Sequence, residues 1–273
     1  MKKLLKYLLF PLAWLWRSFF FINAVITFFL FFPFFAVLLM KKKWFPLVFR
    51  LKKIWAHFIL FPTFIFYRIE SQFVPKKGQA YVFCPNHTSY LDIMLIYISI
   101  PNYFHTIGKA ELRKVPFFGR FFDKMNIPVN RKSKMDSHRA FLRAASDVRE
   151  GISVTLFPEG TIVHNGPTIG RFKNGPFRLA IQEQVPVVPV TFLNNWDLLP
   201  DDFHRYPGHP GIAKVIVHEP IPTLGMKDDD IEELKAKVFE AMAAPLRKKY
   251  PLEFSAEKHK VQGDVRSRQN LSA

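Results

Sequence analysis

The sequence predicts an α/β fold, with a mixed, mostly parallel sheet flanked by helices and an N-terminal membrane-embedded helical segment. After residue 67, short apolar runs typical of strands alternate with runs of helical periodicity. Before residue 67, the chain is rich in aromatic residues and has no acidic residue. We therefore divide the 273 residues into a membrane-anchoring helical segment (1–67), an α/β domain (68–250) and a polar tail (251–273), which we expect to be disordered.

The composition of the N-terminal segment favours a surface of anionic lipid. Residues 1–67 contain ten Lys or Arg, so they carry +10 of the formal net charge of +17. They also hold 16 of the 31 Phe and four of the five Trp. Nucleic-acid-binding proteins usually spread basic residues over a polar, folded face, without a long uncharged run between them. We therefore expect anionic membrane lipid as a partner and no nucleic acid.

Two apolar runs in this segment differ in length. Ser18 to Met40 gives 23 uncharged residues, enough to cross a bilayer as a helix, whereas Ile54 to Tyr67 gives only 14. Basic residues flank the first run on both sides, and the positive-inside rule places both groups on the cytoplasmic face. Three membrane arrangements stay open: a re-entrant hairpin bent near Pro33, helices partly sunk in one leaflet, and a single span. We expect attachment to the cytoplasmic face of the inner or plasma membrane.

The α/β domain is predicted from the order of its apolar runs. Short apolar runs bounded by Pro, Gly or Asn predict strands at 80–84, 103–108, 127–130, 152–157, 185–192 and 213–218. Capping signals and helical spacing predict helices at 89–99, 137–150, 176–184 and 228–244. Pro245 is expected to end the last helix, because its ring and missing N–H interrupt helical hydrogen bonding.

His87 and Asp92 lie where a predicted strand gives way to a predicted helix. On an ideal helix, side chains five residues apart point about 140° away from each other, so these two meet only if the helix begins between them. Pro85 and the capping candidates Thr88 and Ser89 place the helix start there. Asp92 would then orient the ring and leave one nitrogen free to accept a proton. The alternative is that Ser89-x-x-Asp92 is only a capping box and His87 a surface turn residue.

Other catalytic classes lack their usual residues. The chain has no Gly-x-Ser-x-Gly elbow for a serine hydrolase. Its nine His show no pair at metal-ligand spacing, so we expect no metal. The single cysteine, Cys84, ends an apolar strand, is typical of a core residue and excludes an intramolecular disulfide. Attack by an activated substrate hydroxyl is the simplest chemistry that is left.

The segment Phe-Pro-Glu-Gly-Thr at 157–161 closes a predicted strand and predicts an anion site. Gly160 allows a sharp backbone turn that exposes N–H groups to a phosphate. Glu159 is expected to order the loop or to contact a substrate hydroxyl rather than the phosphate. Thr161 completes the group of candidate substrate-binding residues in this loop.

Four cations are further candidates for binding an anionic substrate. Lys109 and Arg131 follow predicted strands, at the sheet edge where ligands of open α/β sheets bind. Arg171 and Lys173 follow the Phe-Pro-Glu-Gly-Thr segment. For any one of them taken alone, a solvated charge is the more common role.

Between about Ala80 and Phe192, the chain resembles the glycerolipid acyltransferase family, in particular its 1-acyl-sn-glycerol-3-phosphate acyltransferase branch. Four motifs occur in the family's order and at compatible spacing, which makes the resemblance highly specific. They are Asn86-His87-x4-Asp92, Gly119 through Arg131, Phe157-Pro158-Glu159-Gly160-Thr161 and Val185-Pro186-Val187-Val188-Pro189-Val190.

The resemblance implies that residues 68–250 form an acyltransferase catalytic domain. It implies these site residues: His87 as general base, Asp92 as its orienting partner, Lys109 and Arg131 among the phosphate binders, and Glu159 and Gly160 shaping the acceptor site. It also implies a lysolipid acceptor, acylated at its sn-2 hydroxyl to give phosphatidic acid. The donor would be acyl-CoA or acyl-carrier protein, without a cofactor.

One position departs from the family pattern. The family commonly has Arg directly after the Thr of the third motif, and here that position is Ile162. An apolar side chain replaces a bidentate donor, so either Arg171 or Lys173 compensates or the acceptor headgroup is not a phosphomonoester. The second case leaves a lyso-aminolipid or another lysophospholipid open as acceptor. More distant alternatives are a lipid hydrolase that uses the same His–Asp pair on water and a non-catalytic membrane-surface protein.

Overall fold

The computed structural model describes residues 2–202 and 207–252, with side chains from residue 10 onward. The strands, β1 to β7, span Ile65–Ser71, Val82–Pro85, Phe104–Lys109, Asn126–Val129, Ser153–Thr155, Val187–Phe192 and Gly211–Val217. The helices, α1 to α8, span Lys2–Leu38, Phe45–Leu60, Leu91–Ser99, Phe118–Met125, Lys134–Arg149, Gly175–Gln182, Asn195–Leu198 and Ile231–Lys249. Except for its first two residues, the tail that we expect to be disordered (251–273) lies outside the described residues.

The seven strands form one sheet in the order β1-β7-β6-β2-β5-β3-β4. The five strands from β6 to β4 are parallel to one another. β7 pairs antiparallel with β6, and β1 pairs parallel with β7. The predicted mixed, mostly parallel sheet is therefore confirmed. The carboxyl ends of its five parallel strands meet at one edge, where open α/β sheets bind ligands.

Helices cover both faces of the sheet. On one face, α1, α2 and α3 pack over strand residues such as Phe83 and Phe104. On the other face, α5, α6 and α8 pack over residues such as Val82 and Val154. All six residues of β6 are buried, as expected for a nearly continuous apolar strand that is covered on both faces.

α1 and α2 form an antiparallel hairpin that packs on the domain. The Trp16 indole N–H donates to the Thr63 carbonyl at 2.9 Å, and the Trp55 indole N–H donates to the Thr27 hydroxyl at 3.1 Å. The two helices therefore run in opposite directions: the earlier part of α1 contacts the turn after α2, and the later part of α1 contacts α2 itself. The predicted boundary at residue 67 falls inside β1.

The hairpin bend that was considered near Pro33 is not present, so that prediction is wrong. α1 continues through Pro33, and the hairpin turns at residues 39–44 instead. Phe31 and Phe35, on either side of the proline, are both buried in a cluster with Phe121. Each buried phenylalanine contributes about 1.5–3 kcal/mol, which offsets the roughly 3 kcal/mol cost of an interior proline.

The prediction that Pro245 ends the last helix is also wrong. α8 continues past Pro245 to Lys249. Met242 and Leu246, on either side of it, are fully buried against the sheet. Packing again outweighs the local preference of the proline.

Candidate active site

The candidate residues lie where the parallel strands end. His87 follows β2, the Phe157–Gly160 segment follows β5, and Arg131 follows β4, while Lys109 is the last residue of β3. Because these strands are parallel neighbours, their carboxyl ends converge on one edge of the sheet. The convergence expected from the order of the strands is therefore present.

Asp92 is fully buried and accepts four hydrogen bonds. Its Oδ2 accepts from His87 Nδ1 at 2.9 Å and from the backbone N–H groups of Thr88 and Ser89 at 2.7 and 2.9 Å. Its Oδ1 accepts from the Asn195 side-chain amide at 2.7 Å. These bonds compensate the buried charge. The two interpretations of Asp92, as partner of the histidine and as cap of the helix start, both hold because one oxygen serves both.

The His87 ring has one occupied and one accessible nitrogen. With the carboxylate as acceptor, Nδ1 carries the hydrogen and Nε2 is left as the proton acceptor. Within the described residues, no group hydrogen-bonds to Nε2. The ring stacks on Phe157 at a centroid distance of 4.0 Å, and its side chain keeps 12% exposure. A histidine that is held in this way can act as a general base.

The segment after β6 holds residues 86–90, the loop that carries His87, which we call the histidine loop. The Asn86 side chain donates to the Phe192 carbonyl at 3.1 Å and accepts from the Phe192 N–H at 2.7 Å. The Ser89 hydroxyl donates to the Leu199 carbonyl at 2.5 Å. Asn195, which holds Asp92, belongs to the same segment. Sequence reasoning missed Asn195, because a residue 103 positions from its partner leaves no local signal.

Glu159 is buried and joins two loops. Its Oε2 accepts from the His87 N–H at 3.4 Å, and its carboxylate also accepts from the Gly170 N–H. Its Oε1 has no partner among the described residues. Burial, with a smaller contribution from the Asp92 charge, raises the pKa of Glu159 well above its ordinary value. The backbone contacts fit the expected ordering role better than direct contact with a phosphate.

Gly160 brings two cations together at a cavity of about 250 Å³. Its φ of +73° lies in the left-handed region, and an added Cβ would lie 2.8 Å from Lys173 Nζ. The Arg131 guanidinium donates to the Gly160 carbonyl. The cavity also reaches Gly175 and Pro176 at the start of α6, where the helix dipole favours an anion. The arrangement fits a phosphate group.

The structure does not bring every candidate to this cavity. Lys109, Thr161 and Arg171 are exposed and are not among the residues that line it. The Lys109 ammonium lies 3.8 Å from the Glu111 carboxylate. Among the four candidate cations, Arg131 and Lys173 are the pair that shares the cavity with Gly160.

Ile162, the residue that departs from the family pattern, lies next to the histidine loop. The following residue, Val163, donates its N–H to the His87 carbonyl at 2.8 Å. Ile162 is half-buried. The position with the departure is therefore one residue away from a backbone bond to His87.

Comparison with known proteins finds similarity to acyltransferases. Residues 67–193 match the acyltransferase family model. The chloroplastic 1-acyl-sn-glycerol-3-phosphate acyltransferase BAT2 of Brassica napus is 31% identical over 195 residues, which cover 70% of this chain and 54% of that protein. The 1-acyl-sn-glycerol-3-phosphate acyltransferase alpha of Ovis aries is 32% identical over 172 residues, which cover 62% of this chain and 59% of the relative.

A solved structure shares the fold. The crystal structure of the 1-acyl-sn-glycerophosphate (LPA) acyltransferase PlsC from Thermotoga maritima superposes with a TM-score of 0.73 and 24% sequence identity. The superposition covers 88% of this chain and 97% of that one. The chain spans little more than half the length of the two curated relatives, 54% and 59%.

Proposed function

We propose that the chain is a member of the glycerolipid acyltransferase family and acylates the sn-2 hydroxyl of 1-acyl-sn-glycerol-3-phosphate. The acyltransferase match over residues 67–193 and the curated relatives support this proposal. The product is phosphatidic acid for phospholipid biosynthesis. One observation carries the proposal: the ring of His87, with one accessible nitrogen, stacks on a residue that lines a cavity with two cations. Phe157 links the two, since it stacks on His87 and lines the same cavity.

The chemistry follows from the His87–Asp92 geometry. Nε2 of His87 takes the proton of the sn-2 hydroxyl while the oxygen attacks the thioester carbonyl. The buried Asp92 carboxylate stabilises the imidazolium that forms. When the tetrahedral intermediate collapses, the carbon–sulfur bond breaks and the imidazolium returns the proton to the thiolate. The donor is acyl-CoA or acyl-carrier protein, and the reaction needs no cofactor.

The cavity at Gly160 would hold the acceptor phosphate. Arg131 and Lys173 supply positive charge, and the first turn of α6 supplies the positive end of a helix dipole. Lys173 is the stronger candidate for replacing the arginine that is missing at Ile162, because Arg171 does not line the cavity. A lysolipid with a different headgroup is the second candidate acceptor, and the apolar Ile162 favours it.

Membrane attachment in the plane of one leaflet fits the packing of α1. The helix is long and apolar enough to cross a membrane, with a mean hydropathy of 2.4 over an 18-residue window within Phe10–Leu38. However, Arg17 donates to the Pro200 carbonyl at 2.9 Å, and the Phe35 ring lies 4.7 Å from that of Phe121. These contacts lie about 27 Å apart along the helix, almost the thickness of a bilayer core. A span would therefore submerge the domain, whereas an in-plane helix leaves it at the cytoplasmic surface.

The experiment offers the purified full chain a labelled acyl thioester and a panel of lysolipids in vesicles. The proposal expects labelled phosphatidic acid from lysophosphatidic acid. Preference for another lysolipid would select the second candidate, and Ile162→Arg should then raise the use of lysophosphatidic acid. Release of free fatty acid without an acceptor would indicate a hydrolase instead. Full function in His87→Ala would favour a non-catalytic protein.

A further inference from the structure

The connection between β3 and α4 presents apolar side chains to the surroundings. Leu112, Val115 and Phe117 are 38%, 45% and 59% exposed. We name residues 112–117 the rim. The rim follows Lys109, the last residue of β3, so it lies at the carboxyl edge of the sheet that also holds His87. None of the three apolar side chains takes part in the proposed chemistry or in the cavity at Gly160.

The backbone of the rim is fixed. Phe117 has a φ of +63°, which is uncommon for a residue other than glycine. The Gly119 N–H donates to the Val115 carbonyl at 2.8 Å. A Cβ on Gly119 would lie 2.0 Å from the Arg113 carbonyl oxygen, so the chain closes here in a way that only glycine permits. The exposure of Phe117 is therefore a property of the folded loop.

The rim continues the apolar surface of α1. The Phe117 ring lies 5.8 Å from Phe29 and 5.5 Å from Phe32, and the neighbouring Phe118 ring lies 5.8 Å from Phe28. Phe29 is itself 52% exposed. The exposed face of α1 and the rim thus form one surface, although they come from distant parts of the sequence.

The segment that contains the rim is rich in positive charge. Residues 109–124 contain five Lys or Arg and two acidic residues, a formal charge of +3. Arg113 pairs with Asp123 at 3.0 Å, while Lys114 and Arg120 are exposed. Exposed apolar residues flanked by basic ones are typical of segments that enter the boundary between lipid headgroups and acyl chains in anionic membranes.

We propose that the rim is a second membrane contact, which inserts into an anionic phospholipid bilayer beside the active-site edge. It sets the depth at which that edge meets the headgroups, so that a lysolipid reaches His87 without leaving the bilayer surface. The proposed membrane contact depends only on the exposed apolar and basic residues described above. Its effect on turnover rests on the proposed function.

Site-specific labelling tests the contact. Burial raises the pKa of the Cys84 thiol, and Cys84 is fully buried, so a fluorophore reacts with an introduced cysteine instead. Val115→Cys is labelled and bound to vesicles of phosphatidylglycerol and phosphatidylcholine with brominated acyl chains. Leu224→Cys, 85% exposed next to the helices on the opposite face, is the matched control. We expect quenching at position 115 and none at 224. An unquenched label at 115 in vesicle-bound protein would overturn the proposal.

A comparison of activities toward a vesicle-bound and a water-soluble acceptor tests the effect of the rim on turnover. The double variant Leu112→Ser/Val115→Ser should lose about tenfold or more of its activity toward lysophosphatidic acid in vesicles, because two apolar side chains no longer bury in lipid. Its activity toward a short-chain, water-soluble lysophosphatidic acid should stay unchanged, as should both activities of Leu224→Ser. Equal loss on both acceptors, or loss on neither, would refute the role in turnover. If the proposed function fails, the wild type is inactive on both acceptors while the quenching result still stands.

Discussion

Among the His–Asp pairs of the described residues, the two with the shortest contacts share the same chemistry and differ in what the second ring nitrogen contacts. His87 Nδ1 lies 2.9 Å from Asp92, and His105 Nδ1 lies 2.7 Å from Asp147. The Nε2 of His105 lies 2.7 Å from the Tyr103 hydroxyl, so both of its nitrogens are occupied. The Nε2 of His87 meets no hydrogen-bonding group in the part of the chain that the structure describes, and its ring is partly exposed at the strand ends.

The proposed mechanism requires more than an acidic partner: the second ring nitrogen must also be open to accept a proton. Burial, with a further contribution from the charge of Asp147, raises the pKa of Tyr103, so its hydroxyl stays protonated and donates to His105. This second pair is a closed, buried hydrogen-bond chain that joins β3 to α5. The first pair leaves one nitrogen open, on a ring that stacks on Phe157 at the proposed anion cavity. We therefore expect substitutions in the two pairs to separate activity from stability.

The largest expected effect is on turnover in His87→Ala. The rate of acyl transfer should fall by about 10²–10⁴-fold, because the general base is gone. The free energy of unfolding should change by less than about 1 kcal/mol, since Asp92 keeps its bonds to Thr88, Ser89 and Asn195. Steady-state kinetics and thermal unfolding measure the two quantities. Added imidazole should restore part of the rate, and a variant that turns over like the wild type would rule out His87 as the base.

His105→Leu should show the opposite behaviour. The substitution leaves the Asp147 carboxylate and the Tyr103 hydroxyl without their partner, at a cost of about 3 kcal/mol in the free energy of unfolding. Turnover per folded molecule should stay near the wild-type value. Denaturant unfolding and an active-fraction measurement test both statements. A loss of turnover without a loss of stability would place His105 in the chemistry.

Lys173→Ala should raise the KM for lysophosphatidic acid about tenfold, because a charge-assisted contact to the phosphate is lost. The effect on kcat should be small, since Lys173 lies at the cavity and not at the His87–Asp92 pair. Arg171→Ala is the matched control, because Arg171 is an exposed cation that does not line the cavity. Equal effects of the two variants on KM would argue against a phosphate site at Gly160.

Asn195→Leu should lower kcat about tenfold and leave the KM for the acceptor unchanged, because Asn195 positions Asp92 and does not line the cavity. The neighbouring Asn194 contacts the backbone of Ile212 and Lys214 instead, so Asn194→Leu is the control. It should affect stability without affecting kcat. A changed KM in Asn195→Leu would assign Asn195 to substrate binding.

Glu159→Gln gives the smallest effect, a change in how stability depends on pH. Burial favours the protonated carboxyl of Glu159, so its pKa is raised in the folded protein. The unfolded state therefore loses its proton first as pH rises, and the wild type loses stability from the ordinary carboxyl pKa upward to the raised one. Thermal unfolding across this pH range should show a smaller loss of stability in Glu159→Gln than in the wild type. Identical pH profiles would contradict the raised pKa of Glu159.

The sequence could predict those features that depend on neighbouring residues. The strand ends and the approach of Asp92 to His87 follow from a turn and a helix start within a few positions. β1 was missed because only one of its residues, Ile65, is buried, so it lacks the alternation of a half-buried strand. Asn195 and the second pair were missed because their contacts join positions 103 and 42 residues apart.

The cavity at Gly160 was predicted in part: some of its residues have a local sequence signal and others do not. Gly160 was recognised from its segment, and Arg131 from its place after a strand. Lys173 rather than Arg171 lies next to Gly160, because of the path that the chain takes after the loop. On this path, the Lys173 N–H donates to the Pro158 carbonyl at 2.8 Å. No periodicity or motif encodes this return. Similarly, packing on both sides of a proline decides whether a helix ends there, which local rules do not include.

The most direct test of the account is acyl transfer from a labelled thioester to lysophosphatidic acid in vesicles, measured for the wild type, His87→Ala and His105→Leu at equal amounts of folded protein. We predict labelled phosphatidic acid from the wild type and from His105→Leu, and almost none from His87→Ala. Product formation by His87→Ala at the wild-type rate, or its loss only in His105→Leu, would contradict the assignment of the open histidine as the base.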